Sequence, residues 1–204
     1  MTQEMSESQR TLRLIQYPHP TLRYKAKPVR KVDFELFTFI REMFDLMYEH
    51  NGIGLAANQV DLPYRLFVIN LTADPSERGE ELVFINPEIV RRSGSEEAEE
   101  GCLSLPDVRA MVRRSKEVQI VAYTPSGDEI NWRLSGLLAR AFQHELDHLN
   151  GVLFVDHLSP SESLSVRPIL QDLEKEYAEA LSKGQARPLE DVMARLKELE
   201  VART

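Results

Sequence analysis

The sequence has a single cysteine, Cys102, among its 204 residues. One thiol cannot form an internal disulfide, and it cannot complete a zinc site that needs two or four cysteines. No apolar run approaches the ~18 residues that span a bilayer. The opening residues, MTQEMSESQR, lack the apolar segment of a secretory signal. These absences predict a cytoplasmic protein with a frayed first segment and no membrane partner.

Basic residues are also scarce: the chain carries 25 Lys and Arg against 33 Asp and Glu, a formal net charge of −8. A strongly acidic chain gains little from a phosphate backbone, which argues against DNA as a partner and against general nucleic-acid binding. The rest of the composition, with 42% hydrophobic and 28% charged residues, is ordinary for a globular protein. The length fits one well-buried domain with an appended tail.

Apolar residues recur at helical spacing in several segments. Residues 34–50 form the first predicted helix, with Asp33 as its N-cap. The clearest helix lies between Ser135, a second candidate N-cap, and Gly151, a candidate glycine just past the helix end. The charged tail predicts a further amphipathic helix, with an apolar stripe of Leu189, Val192, Leu196 and Leu199.

Short β-rich runs separate these helices. YRLFVINL, ELVFINPEIV, KEVQIVAYT and EINWRL are predicted strands, and the last two form a hairpin around the turn PSGD. LRLIQYPHPTLRYKAKPV, which holds three prolines, predicts a strand followed by turns, and RRSGSEEAEEGCLSLP predicts a loop. Strands precede the main helix without strict alternation. The predicted class is therefore α+β, with mostly antiparallel sheets around a central helix and a C-terminal helical tail.

The segment QHELDHLNG, residues 143–151, places two histidines one helical turn apart. Because residues i and i+4 share a helix face, His144 and His148 present their imidazoles to one point, as a divalent metal requires. Glu145 lies about 100° around the helix from His144 and can reach a water molecule beside the metal. This is the logic of the H-E-x-x-H motif, in which one turn supplies two ligands and a general base. The alternative is a surface helix with incidental histidines.

A third ligand decides the class of metal site. The longer metzincin pattern needs a histidine where this chain has Phe154, and His157 lies three positions too late. Glu174 and Glu176, which a thermolysin-like site would need, fit a solvated helix face better. The thiol of Cys102 remains, and its flanks are more polar than those of a buried structural cysteine. One thiolate with two imidazoles makes a tetrahedral site with its fourth position open to water.

Three segments, in this order and spacing, resemble the motifs of the peptide deformylase family. GIGLAANQ (52–59) resembles its glycine-rich motif, EGCLS (100–104) its cysteine motif, and QHELDHLNG its histidine motif. The resemblance implies a metal-dependent catalytic domain over residues 1–160 and a helical extension over 161–204, packed on the domain or on a partner. The implied reaction removes the formyl group from the formyl-methionine of nascent polypeptides and releases formate.

Carried over position by position, the resemblance implies a role for each matching residue. Glu145 is the general base and acid, and Gln59 donates its amide to the developing oxyanion together with the backbone N–H of Leu103. A metal-bound histidine usually donates its other ring N–H to an acceptor, for which Glu100 and Asp147 are candidates. The implied metal ligands are Cys102, His144 and His148. The implied substrate contacts are Ile53, Gly54, Arg140 and Ala141.

One position departs from the family pattern. Four residues before the first histidine, where family members often carry an apolar residue in the methionine pocket, this chain has Arg140. Its aliphatic stem can line the pocket while the head group reaches water. We therefore predict that Arg140 widens the preference towards an acidic or polar residue after the methionine. The alternative is an arginine at the rim with no effect.

The resemblance also implies one divalent metal ion. Fe²⁺ is the expected ion, with Zn²⁺, Ni²⁺ and Co²⁺ as alternatives, since thiolate and imidazole suit all four. Two other functional classes stay open at this point: a general metallopeptidase and a structural metal domain without catalysis. An intact Glu145 and Gln59 favour an enzyme over a structural site, because a purely structural site needs neither side chain.

N-formyl-methionyl nascent peptides are the expected partners in a bacterial-type cytoplasm, and the ribosome near its exit tunnel is a further candidate. Residues 171–204 hold six Lys and Arg and eight Asp and Glu, a net charge of −2. Bulk charge therefore does not favour RNA contact by the tail. For the apolar stripe of the tail, we expect packing on the domain or pairing with a second copy of the chain at least as much as contact with RNA.

Overall fold

The structure, a computed structural model, describes residues 11–204, so the predicted frayed segment lies outside the described residues. The helices within this range are α1 (Phe34–Glu49), α2 (Gly136–Leu149), α3 (Pro160–Ser182) and α4 (Leu189–Arg203). The strands are β1 (Gly54–Ala56), β2 (Leu66–Ile69), β3 (Leu82–Ser93), β4 (Glu96–Cys102), β5 (Leu105–Arg114), β6 (Glu117–Tyr123) and β7 (Glu129–Ser135). None of the described helices combines the length and apolarity that crossing a bilayer requires.

Two antiparallel sheets carry the strands. One has five strands in the order β1-β2-β3-β6-β7, and the other is the β4–β5 hairpin. Helix α2 packs on the larger sheet, where the Phe142 ring meets Phe67 and Phe84 edge-on at centroid distances of 5.0 and 5.1 Å. Such aromatic contacts add to the apolar area that the core buries. The α+β class with antiparallel sheets is confirmed, as is the β6–β7 hairpin.

The predicted loop before the cysteine is wrong, because residues 96–102 form strand β4. Its side chains are mostly charged and exposed, and they lack the apolar alternation by which a strand is recognised. Pairing with β5 instead places opposite charges across the ribbon, with Glu97 opposite Arg113. The strand matters for the site because it ends at Cys102.

The predicted strand at the start of the described chain is also wrong. Residues 11–16 join neither sheet and make isolated backbone bonds instead. The N–H of Ile15 donates to the carbonyl of Gln59 at 2.9 Å, and the N–H of Tyr17 donates to the carbonyl of Ser104 at 2.8 Å. Pro18 and Pro20 follow this segment and lack the backbone N–H that would extend a ladder. The segment links two loops that border the candidate site.

The helix ends follow local sequence signals. Asp33 is the N-cap of α1, and its Oδ1 accepts from the N–H of Leu36 at 3.0 Å, as predicted. Ser135 precedes α2, but its side chain makes no cap bond. Gly151 follows α2 at φ 73°, and an added Cβ would lie 2.5 Å from the carbonyl oxygen of Arg23. Glycine is therefore required there by both conformation and space.

The tail folds back on the domain through α4. Val192 and Leu196 are buried, whereas Leu189 at the start of the predicted stripe is exposed. Near its end, Arg203 is buried and bonds the Tyr64 hydroxyl at 2.9 Å, Asp33 at 3.1 Å, and the Glu35 carboxylate. The predicted amphipathic helix is confirmed, and its charged end is fixed to the N-terminus of α1.

We expect Arg203→Met to destabilise the fold by about 2–3 kcal/mol, since methionine keeps the apolar stem but loses several charge-assisted hydrogen bonds. For a chain of this size the melting temperature should fall by about 5–10 °C. Differential scanning calorimetry measures both. The control is Arg167→Met, an exposed arginine on α3. Equal melting temperatures for the two variants would contradict the anchoring role.

Candidate active site

The thiol and the two imidazoles singled out in the sequence converge. Cys102 comes from the end of β4, and both histidines come from α2. The Cys102 Sγ lies 3.3 Å from His148 Nε2, and one ligand atom from each of Cys102, His144 and His148 lies within 4.8 Å of the others. A soft sulfur and two ring nitrogens at this spacing match the donor set of a tetrahedral metal site with an open position.

The two imidazoles have opposite electrostatic surroundings. The His144 ring lies between the Cys102 sulfur and the Glu100 carboxylate, with Nδ1 3.0 Å from Glu100 Oε2. Burial opposes a charge on this imidazole, but the bonds to Cys102 and Glu100 outweigh burial and raise its pKa to about 10. For His148, burial and the neighbouring His144 lower the pKa well below its usual value. A divalent ion would meet negative partners here.

Phe154 occupies the position that the metzincin pattern reserves for a third histidine. Its ring stacks on the His144 ring at a centroid distance of 6.0 Å and an interplanar angle of 26°. The side chain therefore packs behind the ligand and offers no donor atom. His157, the other candidate considered, bonds Asp147 at 2.8 Å. These placements leave the sulfur of Cys102 as the third donor.

Glu145 lies beside the three donors and is nearly fully buried. Its Oε2 has no hydrogen-bond partner among the described residues. Burial is the main cause that raises the pKa of this carboxyl to about 7. A carboxyl near neutrality can both accept and return a proton at physiological pH, which suits general acid–base work.

Hydrogen bonds at both the oxygen and the nitrogen of its amide orient the Gln59 side chain. Its Oε1 accepts from the N–H of Ala56 at 2.9 Å, which turns the NH₂ group towards the three donors. Nε2 then lies 3.2 Å from Ser104 Oγ and 3.4 Å from Cys102 Sγ. The amide assignment follows from these bonds, because only oxygen can accept from Ala56.

A network of charged residues surrounds His144. Glu100 is buried and takes two bonds from Arg114, at 2.6 and 2.9 Å. Burial opposes the carboxylate charge, but the bonds from His144 and Arg114 lower the Glu100 pKa to about 2. Asp147, the other candidate acceptor, bonds Arg114 and His157 and neither imidazole of the donor cluster. Sequence reasoning missed Arg114, which lies in a different strand and carries no local signal.

A cavity of about 630 Å³ opens beside the donors. It lies between the edge strand β1 and the β4–β5 hairpin, with α2 also contributing to its wall. Residues that the sequence did not single out, including His50, Asn51 and Asp107, also line it. The expected substrate contacts and both oxyanion donors lie in the wall, namely Ile53, Gly54, Gln59, Leu103, Arg140 and Ala141.

Arg140 lines the cavity but turns its head group away from water. Nη1 donates to Glu100 Oε1 at 2.7 Å and to the carbonyl of Val112 at 3.0 Å, and Nη2 donates to the carbonyl of Glu96 at 3.0 Å. We predicted from the sequence that this head group reaches solvent. Three of its donors are instead used inside the protein.

Comparison with known proteins agrees with this geometry. The Polypeptide deformylase family model matches residues 11–164. The peptide deformylase of Rhodopirellula baltica is 45% identical over 166 residues, which cover 81% of this chain and 82% of that protein. A plant peptide deformylase crystal structure is 40% identical with a TM-score of 0.81, covering 92% of this chain and 99% of that one.

A second solved structure, a peptide deformylase from Legionella pneumophila, is 42% identical with a TM-score of 0.73. It covers 81% of this chain and 96% of its own. The match therefore extends over nearly all of each solved relative. The residues matched by the family model include β4 and α2, which carry the donor cluster. The chain belongs to the peptide deformylase family, a family of metal-dependent enzymes that deformylate nascent polypeptides.

Proposed function

We propose that Cys102, His144 and His148 hold one divalent metal ion, Fe²⁺ in the native enzyme, and that Glu145 performs the proton transfers of formamide hydrolysis. The observation that carries this proposal is the convergence of one sulfur and two ring nitrogens within 4.8 Å, next to a buried carboxyl. Zn²⁺, Ni²⁺ and Co²⁺ fit the same donors. The chain's own residues account for the remaining steps.

Hydrolysis breaks the bond between the formyl carbon and the methionine nitrogen. A divalent metal held by Cys102, His144 and His148 would lower the pKa of water and polarise a carbonyl. Glu145 accepts a proton from the attacking water and later gives it to the departing amine, so that formate and a free amino terminus result. Because burial raises the Glu145 pKa to about 7, this carboxyl can both accept a proton and release it near neutral pH.

Charge develops on the formyl oxygen in the transition state. We propose that Gln59 Nε2 and the backbone N–H of Leu103 donate to that oxygen. The support is geometric, since the bond from Ala56 fixes the Gln59 amide with its donor end towards the cage. One preorganised donor of this kind is commonly worth ~3–4 kcal/mol of transition-state stabilisation.

The substrate lies in the cavity between β1 and the β4–β5 hairpin. Because β1 is an edge strand of the five-stranded sheet, an extended peptide can lie beside it, next to Ile53 and Gly54. The methionine side chain then packs against Ala141 and the aliphatic stem of Arg140. The cavity volume leaves room for residues that follow the methionine.

We further propose that residues 1–160 form the catalytic domain and that residues 161–204 are a helical extension on it. The buried Val192 and Leu196 of α4 support packing on the domain. The hydroxyl of Tyr17 donates to Glu174 of α3 at 2.5 Å, which holds the other tail helix to the same body. Because the proposed substrates are nascent chains, we propose a cytoplasmic location, and we propose the ribosome as a further partner.

Formate release tests the proposed function. Protein purified anaerobically should release formate from formyl-Met-Ala and leave unformylated Met-Ala intact, with about one metal ion per chain by elemental analysis. Activity that persists after complete removal of metal would contradict the metal centre. Cleavage of Met-Ala would instead support a general metallopeptidase.

We expect Gly54→Ala to lower kcat by about 10²-fold, because an added Cβ would lie 2.5 Å from Glu145 Oε1 and displace the general base. Metal content should not change, since the added Cβ meets Glu145, which is not one of the three proposed donors. The matched control is Gly79→Ala, where an added Cβ meets nothing within 4 Å. Equal kcat in Gly54→Ala and wild type would show that Glu145 does not need its present position.

A further inference from the structure

The three proposed ligands come from two separately built parts of the fold. Helix α2 packs on the five-stranded sheet, whereas Cys102 belongs to the two-stranded β4–β5 sheet. No strand pairing among the described residues connects the two sheets. Side-chain contacts between α2 and the hairpin therefore help to set the distance between the sulfur and the imidazoles, and this inference rests on the proposed metal cage.

We infer that Arg140 is a positioning residue that holds the β4–β5 hairpin against α2 and keeps Glu100 on the metal ligand His144. From the middle of α2 its guanidinium makes three bonds to the hairpin, to the Glu100 carboxylate and to the backbone carbonyls of Glu96 and Val112. These bonds reach both strands of the hairpin. Arginine can do this because its planar fork offers donors in fixed directions.

The Glu100 carboxylate is the point where the two parts meet. Its Oε1 accepts from Arg140 Nη1 at 2.7 Å and from Arg114 Nε at 2.6 Å. Its Oε2 is then available to Arg114 Nη2 at 2.9 Å and to His144 Nδ1 at 3.0 Å. With Oε1 held by two cations, rotation that would withdraw Oε2 from His144 breaks two charge-assisted bonds.

Four charged side chains meet beside the His144 ring. Arg114 and Arg140 carry two positive charges, and Glu100 and Asp147 carry two negative ones, all joined by bonds of 2.6–2.7 Å. These side chains are largely shielded from solvent, so an uncompensated charge among them is costly. Removal of Arg140 would withdraw one positive charge and leave Glu100 Oε1 bonded to Arg114 alone.

This assignment differs from the expectation that Arg140 widens the preference towards an acidic or polar residue after the methionine. A guanidinium that makes three internal bonds has little capacity left for a substrate carboxylate. The aliphatic stem still lines the cavity. In this inference, the aliphatic carbons of Arg140 contact the substrate, and its guanidinium nitrogens hold Glu100, the partner of His144.

Metal binding tests the inference directly. Arg140→Met keeps the stem and removes the head group. We expect its dissociation constant for Co²⁺, measured by competition with a chelator, to rise about 10–100-fold, the usual effect of losing an outer-shell partner. The thiolate-to-cobalt absorption band should shift in this variant and recover in part in Arg140→Lys. The control is Arg113→Met, an exposed arginine on the same hairpin.

Three outcomes are decisive. If Arg140→Met binds Co²⁺ as wild type does, with an unchanged spectrum, the positioning role is overturned, even if the variant melts at a lower temperature. A changed ratio of kcat/KM for formyl-Met-Asp-Ala over formyl-Met-Lys-Ala, with unchanged Co²⁺ affinity, would assign Arg140 to substrate selection instead. If Cys102→Ala keeps full Co²⁺ affinity, Cys102 is not a metal ligand and the proposed metal site is wrong. This result tests the metal site separately from the positioning role of Arg140.

Discussion

Replacement of Glu145 by glutamine is expected to lower kcat about 10²–10⁴-fold, the range that general acid–base groups contribute. The two side chains have the same shape, so the buried position should tolerate the change without a cavity. Glu145 Oε2 has no partner among the described residues, so its replacement by an amide breaks no internal bond of that atom. The variant loses only the ability to take a proton from water and return it to the amine.

The KM for formyl-Met-Ala should change little in this variant, because Glu145 acts on reacting atoms and not on substrate side chains. Metal content should stay at the wild-type level, since the carboxylate is not one of the three converging donors. Glu99→Gln, an exposed carboxylate in the cavity wall, is the matched control. A kcat of Glu145→Gln within about twofold of wild type would contradict the role of Glu145 as general base and acid.

Replacement of Cys102 by alanine is expected to weaken metal binding by more than about 10²-fold, since losing a ligand costs more than losing its outer-shell support. Activity should fall with the metal content and return only in part at high metal concentration. The thiolate supplies the one formal negative charge among the three donors, so a neutral two-histidine remnant attracts a divalent ion far less.

Competition with a chelator measures this change, and elemental analysis of the purified protein supports it. His50→Gln is a suitable control, because His50 lines the same cavity but lies outside the converging group. A Cys102→Ala protein that keeps one tightly held ion would show that the metal binds elsewhere. Its fold should remain intact, since the Cys102 side chain is only half-buried at the edge of an apolar cluster.

The local part of this site could be predicted from the sequence. An α-helix fixes the relation between residues i and i+4 whatever surrounds it, so His144 and His148 had to face one point once α2 was recognised. Gly151 and Asp33 marked helix ends for similarly local reasons. The third donor, Cys102, was predicted by chemistry, because a single thiol was the best remaining partner for two imidazoles.

The non-local part could not be predicted in the same way. Strand β4 was expected to be a loop, because its stabilising partners are arginines on β5 and not apolar residues of its own. Arg114 carries no motif, yet it bonds both Glu100 and Asp147. The orientation of Arg140 likewise depends on backbone carbonyls that only the folded hairpin presents. Residues 11–16 have a strand-like composition but no neighbouring strand with which to pair.

Strand β1 lies at the edge of its sheet, and this position affects the range of peptide sequences that the enzyme accepts. A peptide laid against such an edge, as we propose, is held through amide groups that every residue possesses. In the proposed binding mode, selectivity therefore falls chiefly on the first residue of the peptide. One catalyst could then serve newly made proteins of very different composition.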